Sequence, residues 1–221
     1  MLKIQIKGLD ATQKALANAQ KQARYAAMRA LNDTAFAIKK AEEAEIGQVF
    51  DSPTPFTRRA VAVRKATKLD LTAEVFLRPA QARYLREHIE GGPRRQKPSE
   101  RRLSQDAKAP SGYWVPGPGV RLNAYGNLSL AQIKAITAKL NKASRYAGGV
   151  FYGQPRPDLP PGIYARKGKH GKGGIVPLLL QVSQPRYRKR FDFYGVGKRV
   201  AGAEFGRLFN KALAEALRTA R

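Results

Sequence analysis

The sequence predicts an α+β fold, in which a small, mostly antiparallel sheet packs with a long N-terminal helix and a C-terminal amphipathic helix. Three patterns predict it: a proline-free segment of helical periodicity near the start, short alternating apolar segments in the middle, and an amphipathic helical pattern at the end. A long basic loop, rich in glycine and proline, is predicted to be inserted between these elements. We expect residues 1–221 to form a single domain, with 91–127 as the extended loop insertion.

The first predicted elements are a short strand and a long helix. Apolar and polar residues alternate from Leu2 to Ile6, which indicates a half-buried strand. Asp10 follows a turn and can cap a helix over about 11–48, a range that contains Gly47 but no proline. One face of this helix is rich in alanine, and it packs either against a neighbouring subunit or over the protein's own sheet. This candidate inter-subunit face consists of Leu16, Ala23, Ala27, Leu31 and Ile38.

Proline, glycine and changes of periodicity divide the rest of the chain into shorter elements. Pro53 and Pro55 end the long helix, and Ser129 is in position to cap a later one. The predicted elements are a β-hairpin of 61–63 and 71–77, helices at 79–89 and 129–146, strands at 149–152, 163–166 and 175–182, a basic tip at 167–174, and an amphipathic closing helix at 196–221.

Composition and charge limit the class of protein. The chain has 42 Lys and Arg against 16 Asp and Glu, a formal net charge of +26, and no cysteine. The longest apolar run, Ile175–Leu180, is too short to span a bilayer, and Met1–Lys7 lacks the apolar region of a signal peptide. We therefore expect an intracellular, soluble protein without disulfides or a zinc site of the usual kind. So large a charge of one sign indicates a polyanionic partner, either nucleic acid or an acidic surface.

The basic residues fall into three clusters, which we predict to face DNA or a partner protein. The first cluster has no apolar anchor, so we expect it to be exposed. The third contains Phe191, Phe193 and Tyr194, which either stack on bases of a single strand or, as we favour, anchor the closing helix in the core. The clusters are Arg94, Arg95, Lys97, Arg101 and Arg102; Arg166, Lys167, Lys169 and Lys172; and Arg186, Arg188, Lys189 and Arg190.

The same sequence predicts no catalytic residue, no metal ligand and no cofactor. Its glycine-rich segments, 168–174 and 195–198, lack the order of residues of a phosphate-binding loop. We interpret His88 and His170 as surface residues without a partner at metal-ligand spacing. Three carboxylates near the end of the long helix are interpreted as part of a solvated helix face. Two other carboxylates, later in the chain, are interpreted as partners of arginine. These carboxylates are Glu42, Glu43 and Glu45 in the first group, and Asp158 and Asp192 in the second.

Five segments carry a family resemblance: Ile6-Lys-Gly-Leu-Asp10, Pro53-Thr-Pro-Phe-Thr-Arg-Arg-Ala-Val61, Ile89-Glu-Gly-Gly-Pro-Arg-Arg95, Leu122-Asn-Ala-Tyr-Gly-Asn127 and Gln184-Pro-Arg-Tyr-Arg-Lys-Arg-Phe191. Together with the opening strand and the alanine-rich helix, they resemble the minor tail protein Z and tail-completion proteins of tailed bacteriophages and prophages. The resemblance covers most of the chain. It implies a non-enzymatic structural protein of the virion at the head–tail junction, or neck, assembled in the bacterial host cytoplasm.

The resemblance also implies partners. We expect a homo-oligomeric ring, sixfold or twelvefold, around the DNA channel, next to head-completion (connector), tail-terminator or tail-tube proteins. Sequence-independent contact with packaged double-stranded DNA is compatible with the charge. The alternative is a non-enzymatic basic nucleic-acid-binding protein of ribosomal or nucleoid type, and a weaker one is a metal-dependent DNA-processing nuclease.

Overall fold

The computed structural model describes residues 9–140, 149–168 and 173–219, and its fold class is α+β, as predicted. The helices are α1 (Leu9–Val49), α2 (Pro55–Arg58), α3 (Pro79–Glu90), α4 (Pro98–Asp106), α5 (Leu130–Leu140) and α6 (Phe193–Thr219). The strands are β1 (Val61–Arg64), β2 (Glu74–Leu77), β3 (Gly92–Pro93), β4 (Tyr113–Pro116), β5 (Val150–Gly153), β6 (Gly162–Arg166), β7 (Ile175–Val182) and β8 (Arg186–Tyr187).

The chain divides into two compact units where the sequence led us to expect a single domain. Unit 1 comprises Met1–Ile89 and Arg190–Arg221, and unit 2 comprises Glu90–Lys189. Unit 2 is thus one continuous segment inserted into the chain of unit 1.

Unit 1 is built on two antiparallel helices, α1 and α6. Arg29 Nη1 on α1 donates to Glu215 Oε2 near the end of α6 at 2.6 Å, which shows that the two helices run antiparallel. Asp192 starts α6, because its Oδ1 accepts a hydrogen bond from Gly195 N at 3.1 Å. The buried residues of α1 recur mainly every four residues, so a ridge of small side chains lies along the contact. They are Ala26, Ala30, Thr34, Ala35, Glu42 and Ile46, and those of α6 are Val196, Ala212 and Ala216.

The candidate inter-subunit face of α1 is corrected by this packing. Along most of its length α1 packs against α6 of the same chain, a partner that was not among our expectations. Ala23, Ala27, Leu31 and Ile38 are half-buried within the chain, whereas Leu16 is 68 % exposed. The pairing was missed because the two helices are joined by contacts between residues almost 190 positions apart.

A second layer of unit 1 surrounds a small aromatic and aliphatic core. Strands β1 and β2 form the predicted antiparallel hairpin, with Val61 opposite Leu77. The buried residues of this core are Ile46, Ala60, Val61, Leu85 and Phe191. The core therefore joins the end of α1, β1, α3 and the segment that leads into α6.

Unit 2 contains a four-stranded antiparallel sheet in the order β4-β7-β6-β5, and a separate short pair, β3-β8. Its core packs α4 and α5 onto the sheet through Leu103, Trp114, Ile136, Ile163 and Leu179, with smaller side chains around them. The predicted extended loop at 91–127 is wrong in part, because this segment holds β3, α4 and β4. Proline at the first position of α4 starts that helix, and Trp114 anchors β4 in the core.

The remaining predicted elements agree with the structure where it describes them. Ser129 caps α5, since its Oγ accepts a hydrogen bond from Gln132 N at 3.2 Å. The strands at 149–152, 163–166 and 175–182 correspond to β5, β6 and β7. The predicted opening strand, the end of the 129–146 helix and the centre of the 167–174 tip lie outside the described residues.

Candidate functional site

Two of the three basic clusters meet in unit 2 through the β3–β8 pair. Gly92 lies opposite Tyr187, and Pro93 lies opposite Arg186. Two further hydrogen bonds extend the pairing, from Arg94 N to Pro185 O at 2.8 Å and from Gln184 Nε2 to Arg94 O at 3.2 Å. We call the exposed cations of these segments and of α4 the basic region; its seven members are Arg95, Lys97, Arg101, Arg102, Arg186, Arg188 and Lys189.

Arg94 does not belong to this exposed set, contrary to the sequence prediction. Its side chain is 8 % exposed and pairs with the equally buried carboxylate of Glu100. The guanidinium donates from Nη2 to Oε1 at 2.6 Å and from Nη1 to Oε2 at 2.8 Å, and it lies 4.9 Å from the centre of the Tyr113 ring. Such a two-pronged contact fixes orientation as well as distance.

Glu100 connects the basic region to the core of unit 2. Beyond Arg94, its carboxylate accepts hydrogen bonds from Lys97 N at 2.7 Å and Trp114 N at 3.1 Å. Burial raises the pKa of Glu100, but the hydrogen bonds from Arg94, Lys97 and Trp114 outweigh burial and hold the pKa below its ordinary value. One buried anion therefore ties together the chain before α4, the first turn of α4 and strand β4.

The second cluster lies at the other end of the sheet. Lys167 is exposed at the end of the β6–β7 hairpin, and the Arg166 guanidinium lies 4.6 Å from the centre of the Phe151 ring. Strand β7 runs eight residues from that hairpin towards β8, so the two ends are separated by about 23 Å. Lys169 and Lys172 lie outside the described residues. The described residues of the second cluster are therefore separate from the basic region.

No match was found when the chain was compared with protein-family models, curated proteins and solved structures. Within residues 9–140, 149–168 and 173–219, no helix combines the length and the apolar character needed to cross a membrane. The same residues contain no group of three or more His, Asp or Glu side chains arranged to hold a metal ion.

Arg190 belongs to unit 1, where it packs on an aromatic side chain. Its guanidinium lies 4.6 Å from the centre of the Phe50 ring, and its Nε donates to His88 Nδ1 at 3.2 Å. The prediction of a surface His88 is wrong: the residue is 9 % exposed and touches Phe50 edge-on. Burial, and next the Arg190 charge, lower the pKa of His88 to about 4. His170 lies outside the described residues.

The aromatic residues after Arg190 have two different environments. Phe191 is 2 % exposed and packs edge-on against Phe193, which agrees with the anchoring role that we favoured. Tyr194 is instead 68 % exposed, because it lies on the outer face of the first turn of α6. The segment therefore anchors the closing helix through Phe191, and Tyr194 remains at the surface.

The carboxylates depart from the prediction at one position. Asp158 pairs with Arg156 at 3.3 Å and Asp192 with Arg199 at 3.2 Å, as expected. Glu42, however, is 0 % exposed instead of solvated, and within the described ranges neither of its carboxyl oxygens has a hydrogen-bond partner. Burial is the main reason why the pKa of Glu42 rises to about 8. Sequence periodicity placed Glu42 on a helix without indicating that α6 would cover it.

Proposed function

We propose that this protein is a structural, non-enzymatic component of the head–tail junction of a tailed bacteriophage, where it forms a homo-oligomeric ring and contacts DNA without sequence preference. The observation that carries the DNA contact is the basic region of unit 2, whose seven cations are all exposed. The head–tail assignment itself rests on the resemblance of the sequence motifs.

Rigid mounting suits the basic region to phosphate contact. Arginine and lysine side chains on a short strand pair and the start of a helix can neutralise phosphates without reading base edges. The buried Arg94–Glu100 pair holds these segments in place and is inaccessible to DNA itself. This combination of high positive charge and no base readout is compatible with contact to any DNA sequence that passes through a channel.

The proposed ring is supported by the part of α1 that is exposed among the described residues. Arg29 is opposite Glu215, four residues before the end of the described α6. Farther towards the start of α1, the described side chains of residues 13–21 are exposed, including Leu16. This projecting helix offers a surface to a second copy of the chain, and the adjacent head-completion, tail-terminator or tail-tube proteins are the further proposed partners.

A salt titration of duplex binding tests the role of the basic region. If all seven cations contact phosphates, the logarithm of the association constant falls with the logarithm of salt concentration with a slope of about −6. Removing four of the charges is expected to reduce that slope by about 3.6, equally for duplexes of different sequence. The variant is Arg95→Gln, Lys97→Gln, Arg101→Gln and Arg102→Gln.

A matched control removes the same charge from another part of unit 2. It replaces four exposed cations outside the basic region: Lys108→Gln, Arg121→Gln, Lys134→Gln and Lys139→Gln. The control is expected to keep nearly the parental slope. Equal slopes for the two variants would contradict a localised contact and indicate only diffuse attraction to the net charge.

The mass in solution separates the proposed ring from the nucleic-acid-binding alternative. Sedimentation velocity over a salt series, with and without duplex DNA, is expected to give a discrete species of six or twelve copies. A monomer that binds one preferred sequence tightly at physiological salt would contradict the junction role and favour a ribosomal or nucleoid type of protein. Cleavage of plasmid DNA with Mg²⁺ or Mn²⁺ that Glu42→Ala or Asp158→Ala abolishes would contradict the non-enzymatic role.

A further inference from the structure

Glu42 occupies an unusual position for a carboxyl group, in the contact between α1 and α6. Its side chain is completely buried, and neither oxygen has a hydrogen-bond partner in the part of the chain that the structure describes. Two turns earlier on α1, the buried hydroxyl of Thr34 also has no hydrogen-bond partner among the described residues. An ionised carboxylate without hydrogen bonds is strongly disfavoured away from water, so this packing requires the protonated form of Glu42.

The first turns of α6 cover the Glu42 carboxyl. A Cβ atom placed on Gly197 of α6 would lie 4.0 Å from Glu42 Oε1 and 3.8 Å from Ile38 Cγ2. Among the described residues, three charged groups act electrostatically on the carboxyl, and two of them are acidic: Glu45 on α1 and Asp192 at the start of α6. The one cation among them, Arg199, is held by Asp192 at 3.2 Å.

We propose that this contact is an ionisation-sensitive latch, in which loss of the Glu42 proton to solvent releases the first turns of α6, Phe193–Val200, from α1. Release gives the new carboxylate access to water and to Arg199. The Asp192–Arg199 pair does not oppose this exchange, since both of its side chains are more than 60 % exposed and such pairs contribute little. The inference concerns unit 1 alone and goes beyond the proposed function.

The direction of the pH effect follows from the environment of Glu42. Its pKa is raised to about 8 from the ordinary value of 4.5, so the closed contact retains the proton through neutral pH. In the released form, the carboxyl is solvated and titrates near its ordinary pKa. The released population therefore rises about tenfold for each pH unit between about 5 and 8, and then levels off.

Cysteine labelling measures this release directly, because the chain has no cysteine of its own. Val196→Cys places a thiol at a buried site in the first turns of α6, where the residue is 5 % exposed. Its rate of modification by a thiol reagent is compared with that of the same variant carrying Glu42→Gln. The ratio of the rate with Glu42 to the rate with Glu42→Gln is expected to rise about tenfold per pH unit between pH 6 and pH 8. Ionisation of the thiol itself affects both rates equally and therefore does not change the ratio.

A second cysteine site distinguishes local release from general unfolding. Ala212→Cys lies at the far end of the same helix contact and is also buried, at 3 % exposure. The latch predicts a flat ratio at this site, measured against the same Glu42→Gln background. A ratio that rises equally at both sites, or at neither, would overturn the latch.

Hydrogen exchange on the unmodified chain provides the same test without substitutions in the helix contact. After correction for intrinsic exchange, protection of the amides of Val196–Val200, the first to be bonded within the helix, is expected to fall from pH 6 to pH 8, while protection around Ala212 stays constant. If protection at the start of α6 does not change between pH 6 and pH 8, or changes as much as protection around Ala212, the inference is overturned, whatever the cysteine variants do.

Discussion

The buried Arg94–Glu100 pair predicts a large loss of stability when its cation is removed. Arg94→Met keeps most of the side-chain length but eliminates two hydrogen bonds, of 2.6 and 2.8 Å, to the Glu100 carboxylate. The carboxylate then remains buried with only Lys97 N and Trp114 N as donors. It has lost its counter-charge but cannot reach water without disrupting the start of α4.

The size of this effect follows from the burial of both partners. Breaking a buried ion pair from one side costs about 3–5 kcal/mol, because an uncompensated charge stays behind. The two remaining backbone donors place the expected loss at the lower end, about 3 kcal/mol. With a urea dependence of about 2 kcal/mol per molar for a unit of this size, the unfolding midpoint falls by about 1.5 M.

Fluorescence in a urea titration reads this change selectively. The chain has one tryptophan, Trp114, which lies in the core of unit 2 beside Glu100. The far-ultraviolet circular dichroism is dominated instead by α1 and α6 of unit 1. Arg94→Met is therefore expected to shift the fluorescence transition more than the dichroism transition.

Two comparisons make the prediction refutable. Arg101→Met makes the same chemical change at an exposed site on α4 and is expected to cost less than about 0.5 kcal/mol. The double variant Arg94→Met, Glu100→Gln is expected to be more stable than Arg94→Met alone, since no buried charge remains and the Gln side-chain oxygen can still accept from the backbone donors. A midpoint shift for Arg94→Met no larger than that of the control would refute a stabilising buried pair.

The lowered pKa of Glu100 adds a pH dependence with a definite sign. A carboxyl whose pKa is lower in the folded than in the unfolded chain contributes stability above its ordinary pKa of 4.5 and loses it as the pH falls through the folded value. The difference between the parent and Arg94→Met is therefore expected to be full at pH 7 and to shrink below about pH 4.5. Urea midpoints at pH 7 and pH 3.5 measure it.

Two further predictions concern single side chains. The pKa of His88 is about 4 in the folded chain and 6.5 ordinarily, so the neutral imidazole contributes to stability above pH 6.5 and this contribution falls as the pH drops. Between pH 7 and pH 5, the free energy of unfolding of the parent should fall by about 2 kcal/mol more than that of His88→Gln. Glutamine is chosen because it keeps an acceptor for Arg190. Identical dichroism-monitored unfolding of the two proteins at pH 5 and pH 7 would argue against a buried neutral imidazole. Gly162→Ala would place a Cβ 2.6 Å from Leu179 O and should lower the free energy of unfolding by about 1–3 kcal/mol. Gly153→Ala is the control, because Gly153 pairs with Gly162 but faces open space, and it should change stability by less than about 0.5 kcal/mol. Equal urea midpoints for the two variants, monitored by tryptophan fluorescence, would contradict the close strand contact.

Local patterns were sufficient to predict most of the helices and strands. The 11–48 helix, the hairpin at 61–77 and the strand at 175–182 depend on periodicity and on proline and glycine at their ends, all of which are visible within one segment. The error at 91–127 has a local cause as well. Charged residues there obscured a short helix whose start is marked only by Pro98 and Glu100.

The roles of individual charged residues could not be predicted in the same way. Arg94 and Arg95 are neighbours in one basic run, yet the first is buried and the second exposed. Their difference depends on where Glu100 and Trp114 meet in the fold. Glu42 is likewise distinguished from Glu43 only by the position of α6. Burial of a charge is decided by which surfaces meet, and one sequence does not contain that information in a local form.

The pairing of β3 with β8 has a consequence for the order of folding. Because Arg94 N and Pro185 O are 2.8 Å apart, the first and last residues of unit 2 lie close together once that unit has formed. A loop of about 100 residues is then shortened, in effect, to a few, which lowers the entropy cost of joining its ends by about 3 kcal/mol. His88 and Arg190, which flank unit 2 and are 102 positions apart, gain most from this shortening. The loop between Arg29 on α1 and Glu215 on α6, 186 positions apart, is only about halved, which lowers its closure cost by about 0.6 kcal/mol. Formation of unit 2 should therefore promote the contact between the end of α3 and the segment before α6 much more than the association of the two long helices.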